Sequence, residues 1–403
     1  MKICGIIAEY NPFHSGHAHH IEMTKKNTGC DHVVCLMSGC FTQRGEPAIF
    51  DKWQRAKSAV SCGADLVLEL PTLYALRSAE GFAYGSVRIL HDLNMDFLSF
   101  GSEIDDMEAL KEISSVLLDE PDKYREFLKE SLSEGLSFPA SRQQALSSYT
   151  QNRDISNILT GSNSILGIEY LKAIGRTNST ILPSIVKRKG KAYNDEDIFD
   201  SLSSATAIRK YIFENGMDDL IYQNMPKEAF DVLVDRIDSG FIPVRKEAFF
   251  SSLIYAIRKY SKEELSNILD VTEGLENKIK KAAQVSKNYD ELIDNIKSKR
   301  FTHTRIQRIL CYILLGITKE ISEYADKNTP VNIKVLAYRK KSNILLSHFT
   351  KYTDINLYHS AAGLDEDPFT KMDIRATDIY SLSQEKNKFY KSNQDFTNRT
   401  KTD

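Results

Sequence analysis

Four short, almost uninterrupted apolar runs near the amino terminus constrain this chain most: Lys2–Ala8, His32–Met37, Asp65–Leu70 and Phe97–Phe100. None alternates polar with apolar residues, as a strand with one wet face would, and none is long enough for a buried helix. They read as strands covered on both faces, the arrangement of a parallel sheet flanked by helices. The segments between them fit that reading. His17–Lys26 and Asp51–Cys62 have helical composition, and Asp51 stands where an N-cap carboxylate belongs.

The pattern changes after residue 104. Residues 104–150 are polar and helical, with Leu110, Ile113, Leu117 and Leu118 at helix spacing, and form an excursion from the sheet. A helix over Ser164–Ala173 and a strand over Ser179–Lys187 return to it. Residues 240–325 are helical throughout, including Glu247–Lys259, Glu273–Val285 and Thr304–Ile317, with Asn328 and Pro330 closing the run. Val331–Ala337 and Ile344–Ser347 suggest a small terminal β element. From Gln384 onward the chain is polar and lacks aliphatic side chains, so a frayed tail is expected. The expected division is an α/β domain over 1–215, an α-helical domain over 216–328, and a small α/β element with a polar tail over 329–403. A length of 403 residues is consistent with two or three domains.

Charge narrows the partners. The 53 Lys and Arg are matched by 55 Asp and Glu, a formal charge of -2, so the chain is no polycation and any nucleic acid must be held by a local basic patch. The six cysteines form no Cys-x-x-Cys pair and read as free thiols in a reducing compartment. No apolar stretch reaches the ~18 residues of a membrane span, and the start is unlike a signal peptide. A cytoplasmic location without membrane contact is expected.

The richest stretch is Gly5 to His17, where a strand runs into an Asn11-Pro12 turn and a helix begins near Ser15. Sheets of this class place ligands at that point, because a helix N-terminus offers unpaired amides and positive dipole to phosphate. His14 and His17 flank Gly16, and two imidazoles there can both donate to phosphate oxygens as charge builds during attack at phosphorus. Roughly 0.01 chance occurrences of His-x-Gly-His are expected in a chain of this composition. The chemistry implied is nucleotidyl transfer. Two purely structural capping histidines are the alternative, as is zinc held by His14, His17, His19 and His20, although no Cys or carboxylate lies at matching spacing.

Further cations could meet a polyphosphate. Lys187-Arg188-Lys189-Gly190 ends the late strand, and Ser203 to Lys210 puts the hydroxyls of Ser204 and Thr206 at a helix start with Arg209 in its first turns. Gly101 ends the fourth strand and leaves room for ribose or adenine, while Asn163 could read a base edge or simply cap a helix. Gln43, Arg44 and Glu46 fall in a loop at the same sheet edge, suited to positioning substrate or tRNA, or form a solvated turn. Lys297, Lys299, Arg300, Arg305 and Arg308 lie within twelve residues free of acids and interleaved with Phe301 and His303. Such a run suits a splayed RNA loop, or is a solvated face.

The segment from Gly5 to His17 resembles the HIGH-type signature of nucleotidyltransferases and class I aminoacyl-tRNA synthetases. Together with Met37 to Pro47, Ala64 to Pro71, Phe100 to Glu103, Asn163 to Gly167, Ser204 to Arg209 and Arg300 to Arg308, it is similar in order to the bacterial tRNA(Met) cytidine acetate ligase family. Ser15 and Cys40 stand where that pattern expects Asn, and Gly161-Ser-Asn-Ser replaces a Pro-Asn-Asn form. The resemblance implies a Rossmann-like ATP-binding domain that condenses acetate with ATP to acetyladenylate. The acetyl group would then pass to the exocyclic amine of the wobble cytidine of elongator tRNA(Met), giving N4-acetylcytidine. It implies catalytic roles for His14 and His17. The ATP site would comprise Ile7, Ala8, Glu9, Tyr10, Asn11, Pro12, Phe13, His14, Ser15, Gly16, His17, Ala18, His19 and His20, with Gly101, Asn163, Arg188, Ser204, Thr206 and Arg209. Mg2+ would accompany the triphosphate without a protein metal cage, the basic helical segment would hold tRNA, and DNA is not an expected partner. The rival readings are a small-molecule adenylyltransferase or cytidylyltransferase and a non-catalytic RNA-binding protein with a nucleotide fold.

Overall fold

The computed structural model describes residues 1–150, 155–188, 204–272, 274–298, 301–384, 387–398 and 400–402. The expected apolar runs are strands: β1 Ile3–Ala8, β2 His32–Ser38, β3 Leu66–Leu70, β4 Phe97–Ser102 and β5 Leu182–Lys187. Hydrogen bonding joins them in the order β5-β4-β1-β2-β3, all parallel. β1 lies between β4 and β2, so the chain reverses direction across the sheet beside it, and a crevice opens at the carboxyl ends there. Every residue of β3 is buried, as expected of a central strand covered on both faces.

The first connections are helices, α1 over Ser15–Thr28 and α2 over Lys52–Ser61. Asp51 caps α2 as expected, its carboxylate accepting the Trp53 and Gln54 amides at 3.1 Å each. Its other oxygen takes Arg236 at 2.7 Å, which ties α2 to the helix Lys227–Asp238. The 104–150 excursion is helical, as Met107–Asp119, Asp122–Ser133 and Phe138–Thr150. The later helices include Phe250–Lys259, Leu275–Val285 and His303–Leu315, while Glu273 lies outside the described residues. Helical region and sheet bury one contiguous apolar cluster, which includes Ile6, Leu68, Phe249, Leu310 and Tyr380.

Two expectations about the carboxyl-terminal part are corrected. The strand expected at Ile344–Ser347 is instead part of a helix, Asn343–Tyr352. Leu345 and Phe349, four residues apart, are the buried pair, so the apolar run is one face of a helix and was too short to reveal its period. The other expected strand forms as β6, Asn332–Tyr338, but pairs antiparallel with β3 and so extends the main sheet, carrying β7 (Asn356–Tyr358) and β8 (Lys401–Thr402) beyond it.

The frayed tail is not found among the described residues either. The Gln384 side chain exchanges hydrogen bonds with the Ile242 backbone at 2.9 and 2.8 Å, and the Arg236 guanidinium lies 3.7 Å from the Phe389 ring centre. Asp395 is buried between Lys52 at 2.8 Å and Lys334 at 2.6 Å, and Lys52 also meets Glu69 at 2.7 Å. The tail is anchored by aromatic rings and paired charges, neither of which an aliphatic count registers.

Candidate active site

The site begins where β1 ends. Tyr10 takes a positive φ of 47°, a cis peptide joins Asn11 to Pro12, and the chain turns sharply into α1. The turn is fixed from both sides: Asn11 Oδ1 accepts the Ile49 amide at 2.8 Å, and the Asn11 carbonyl accepts from Arg209 at 2.7 Å. Buried Arg55 donates to the carbonyls of Glu9, Ser38 and Gly39, at the ends of β1 and β2, and to that of Phe50 just before α2.

His14 is the N-cap of α1. Its Nδ1 accepts the Gly16 amide at 3.0 Å, and His17 Nδ1 accepts the His14 amide at 3.2 Å, a reciprocal capping box built from two imidazoles. The rings lie 3.9 Å apart. A Cβ at residue 16 would come within 2.8 Å of His14 Cε1, so Gly16 is required for the His14 ring to sit where it does. Burial lowers the His14 pKa to about 3, with Arg188 and Arg209 adding repulsion. Burial also holds His17 well below the usual range, helped by His14, Arg188 and His20, and lowers His20 to about 4. Both capping imidazoles are therefore neutral at pH 7, with Nδ1 accepting and the remaining proton on Nε2, a donor.

The two histidines line a cavity of about 480 Å³ at the carboxyl ends of β1, β4 and β5. First turns of four helices reach it: α1 through Gly16 and His17, Ser162–Arg176 through Ser162 and Asn163, Ala205–Asn215 through Ala205, and His303–Leu315 through Thr304. Arg188 and Arg209 stand in its wall, while Phe100, Ile165, Leu166 and Tyr170 give it an apolar side. It is thus a concave, half-apolar chamber with cationic side chains and helix N-termini in its wall, suited to a nucleotide.

Of the expected ATP-site residues, Ile7, Ala8, Glu9, Tyr10, Asn11, His14, Gly16, His17, His19, His20, Gly101, Asn163, Arg188 and Arg209 line this cavity. Pro12, Phe13, Ser15, Ala18, Ser204 and Thr206 stand behind it. Phe13 packs against Tyr10 with ring centres 4.9 Å apart, and the Ser15 hydroxyl donates to the Asn224 carbonyl at 3.1 Å. Ser204 caps its helix by accepting the Ala207 amide at 3.2 Å, and Thr206 Oγ1 accepts from Arg209 at 3.4 Å. These two hydroxyls order the helix and the guanidinium beside the cavity. At Gly101 an added Cβ would meet Arg188 only at ordinary contact distance, 3.5 Å. Lys189, Gly190 and Ser203 lie outside the described residues.

The basic segment divides. Lys297 is exposed, and Lys299 and Arg300 lie outside the described residues. Arg305 lies 5.0 Å over the Phe301 ring and donates to the Asp270 carbonyl at 3.1 Å and to Thr272 Oγ1 at 3.2 Å. Arg308 stands in the cavity wall, as do Gln43 and Arg44. Glu46 lies behind them, accepting from Gln307 at 2.8 Å and facing Arg209 at 3.8 Å.

Sequence reasoning gave Glu103 no task, yet its carboxylate caps the helix Ser162–Arg176. It accepts the Asn163 amide at 3.1 Å, Asn163 Nδ2 at 2.6 Å, and the Ser164 amide and hydroxyl at 2.7 Å each. Burial pushes the Glu103 pKa up, but the bonds from Asn163 and Ser164 outweigh it and the net shift is downward. A Cβ at Gly161 would strike this carboxylate at 2.4 Å, which explains the glycine. The acid lies 60 residues from its partners, so no local pattern exposes the cap. Arg55, within α2, was hidden for the same reason.

Comparison with known proteins agrees with this geometry. Residues 1–395 match the HIGH Nucleotidyl Transferase family. The tRNA(Met) cytidine acetate ligase of Acetivibrio thermocellus is 45% identical over 98% of this chain and 99% of its own length. That of Thermoanaerobacter sp. is 42% identical over 95% and 96%. Among solved structures, Thermotoga maritima TmcAL without ligand superposes with a TM-score of 0.93 at 32% identity, and the same protein bound with alpha-thio ATP with a TM-score of 0.91 at 31%; each covers 100% of this chain and 99% of the other. Motif, cavity and full-length similarity converge, and the chain belongs to the HIGH nucleotidyl transferase family and, within it, to the tRNA(Met) cytidine acetate ligases.

Proposed function

We propose that this protein activates acetate with ATP and transfers the acetyl group to the wobble cytidine of elongator tRNA(Met). The observation that carries the reading is the convergence of His14, His17, Arg188, Arg209 and several helix N-termini on one half-apolar cavity. The adenosine half lies along Ile165, Leu166 and Tyr170, with Gly101 leaving room for the ribose. The polyphosphate points toward the histidines and arginines. A carboxylate oxygen of acetate attacks the α-phosphorus, the bond from α-phosphorus to the bridging oxygen breaks, and pyrophosphate leaves. The Nε2–H groups of His14 and His17 donate to phosphoryl oxygens as charge accumulates.

Acetyladenylate carries a good leaving group, which acetate lacks. The cytidine exocyclic nitrogen attacks the acetyl carbonyl, the carbon–oxygen bond to AMP breaks, and the nitrogen loses a proton. Positioning and charge neutralisation suffice for both steps, so no protein nucleophile is invoked. Among the described residues no group of three or more His, Cys, Asp or Glu is gathered to hold a metal. Mg2+ is assigned to the triphosphate oxygens, the hard donors it prefers. Lys297 and the neighbouring basic segment are proposed to meet the tRNA backbone. The six free cysteines suit a reducing cytoplasm, and among the described residues no helix is long and apolar enough to cross a membrane.

Incubation with labelled acetate, ATP and bulk tRNA, followed by nucleoside analysis, tests the proposal. Labelled N4-acetylcytidine is expected. Its absence from protein that binds ATP would end this reading.

A further inference from the structure

Arg308 comes from the helical region, yet it faces the nucleotide cavity. The helix His303–Leu315 begins with Thr302 as N-cap, and both Thr304 and Arg308, one turn apart, line the cavity wall. The backbone here is held tightly. Gly45 takes φ +79° and leaves no room for a side chain, since a Cβ would lie 2.4 Å from the Arg308 amide nitrogen. Cys311 Sγ donates to the Gly45 carbonyl at 3.0 Å, and Gln307 Nε2 to Glu46 at 2.8 Å.

Glu46 also faces Arg209 at 3.8 Å, so one carboxylate joins the start of this helix to the arginine that bonds the Asn11 carbonyl. Arg308 thus shares the cavity wall with Arg209 and Arg188, and its helix is tied to Arg209 through Glu46. Arg308 Nε is shielded from solvent and has no hydrogen-bond partner among the described residues. The terminal N–H groups of a guanidinium standing in a cavity wall can donate to an anion that enters it, in the forked geometry that phosphate accepts.

We propose that Arg308 binds the polyphosphate of ATP, so that the helical region supplies a third guanidinium to the nucleotide site and Arg308 is no part of the tRNA surface. The inference rests on the ATP-dependent reading above. It assigns the 43–46 loop a purpose as well: Gly45 and Glu46 position the Arg308 backbone and Arg209 against each other. Because the helical region then contacts the nucleotide directly, ATP occupancy and the placement of the region bearing Lys297 are linked.

The test compares wild type with R308A and R308K in acetate-dependent pyrophosphate exchange, in equilibrium binding of ATP, pyrophosphate and adenosine, and in tRNA binding without ATP. Loss of one charge-assisted contact predicts that R308A binds ATP and pyrophosphate ~10- to 100-fold more weakly. Adenosine and tRNA binding should stay at wild-type levels, and R308K should recover part of the loss. Unchanged adenosine binding shows that the variant is folded. Wild-type ATP and pyrophosphate affinity with weakened tRNA binding would overturn the proposal, and so would an equal loss of adenosine and ATP binding. If wild type itself fails to exchange, the ATP-dependent reading fails, whereas a defect confined to R308A leaves it standing.

Discussion

At the residue scale, the two histidines of the capping box do with ring nitrogens what Ser and Glu usually do with oxygens. Accepting a backbone amide at Nδ1 leaves each neutral ring only its Nε2–H to offer a ligand. H14A and H17A should each lower acetate-dependent pyrophosphate exchange by roughly 100- to 1,000-fold, the usual effect of removing one donor aimed at developing charge. Substitution G16A should also be damaging, by an order of magnitude or more in kcat, because its Cβ would displace the His14 ring while little else moves. The His14 pKa has a pH consequence whose sign is fixed. Its folded value of about 3 lies below the ordinary imidazole value of about 6.5, so the unfolded chain takes up the proton first. Stability tied to neutral His14 is complete above pH ~6.5 and is lost as the pH falls toward 3. The fall in melting temperature between pH 7 and pH 5 should be smaller in H14N than in wild type.

At the element scale, the helix Ser162–Arg176 depends on a cap from β4. Removing Glu103 unpairs the Asn163 and Ser164 amides together, so E103A should cost about 1 to 2 kcal/mol, read from the urea midpoint. It should also raise KM for ATP, because Asn163 is turned by the same carboxylate. E103Q keeps the shape and one acceptor and should fall between the two. Since the Glu103 carboxyl is held below its usual value, the stability it supplies is present above the ordinary Glu range and is lost as the pH falls through its folded value. Element positions were largely legible in advance: the five parallel strands, α1, the Asp51 cap and the late helices follow from apolar period and capping chemistry. Ile344–Ser347 was not, because four apolar residues fit a strand or one face of a helix equally well. Leu345 and Phe349 decide it only by what they pack against.

At the scale of the whole molecule, the end of the chain is locked into its beginning. Lys52, Glu69, Lys334 and Asp395 form a fully buried charge cluster spanning α2, β3, β6 and the last helical turn. Burial alone would raise the Asp395 pKa, but Lys52 and Lys334 pull it below the ordinary carboxylate value. Removing one member strands the others, so D395A should destabilise the protein by about 3 to 5 kcal/mol in urea unfolding. Deletion of residues 385–403 should do at least as much. A tail behaving as solvated chain would leave the midpoint unmoved in both.

The sequence by itself determined the parallel sheet, the strand–turn–helix around Gly5 to His17, and the residues able to meet phosphate. These depend on period, turn chemistry and side-chain type, all of which are local. The tertiary structure alone decided that Arg305 turns to the Asp270 carbonyl while Arg308, three residues on, stands in the cavity wall. It alone also brought Glu103 to Asn163, Arg55 to four carbonyls and Asp395 to Lys52. Each of these is a pairing between distant segments that share no pattern along the chain. Such partners become neighbours only once the sheet order is set and the helices have packed.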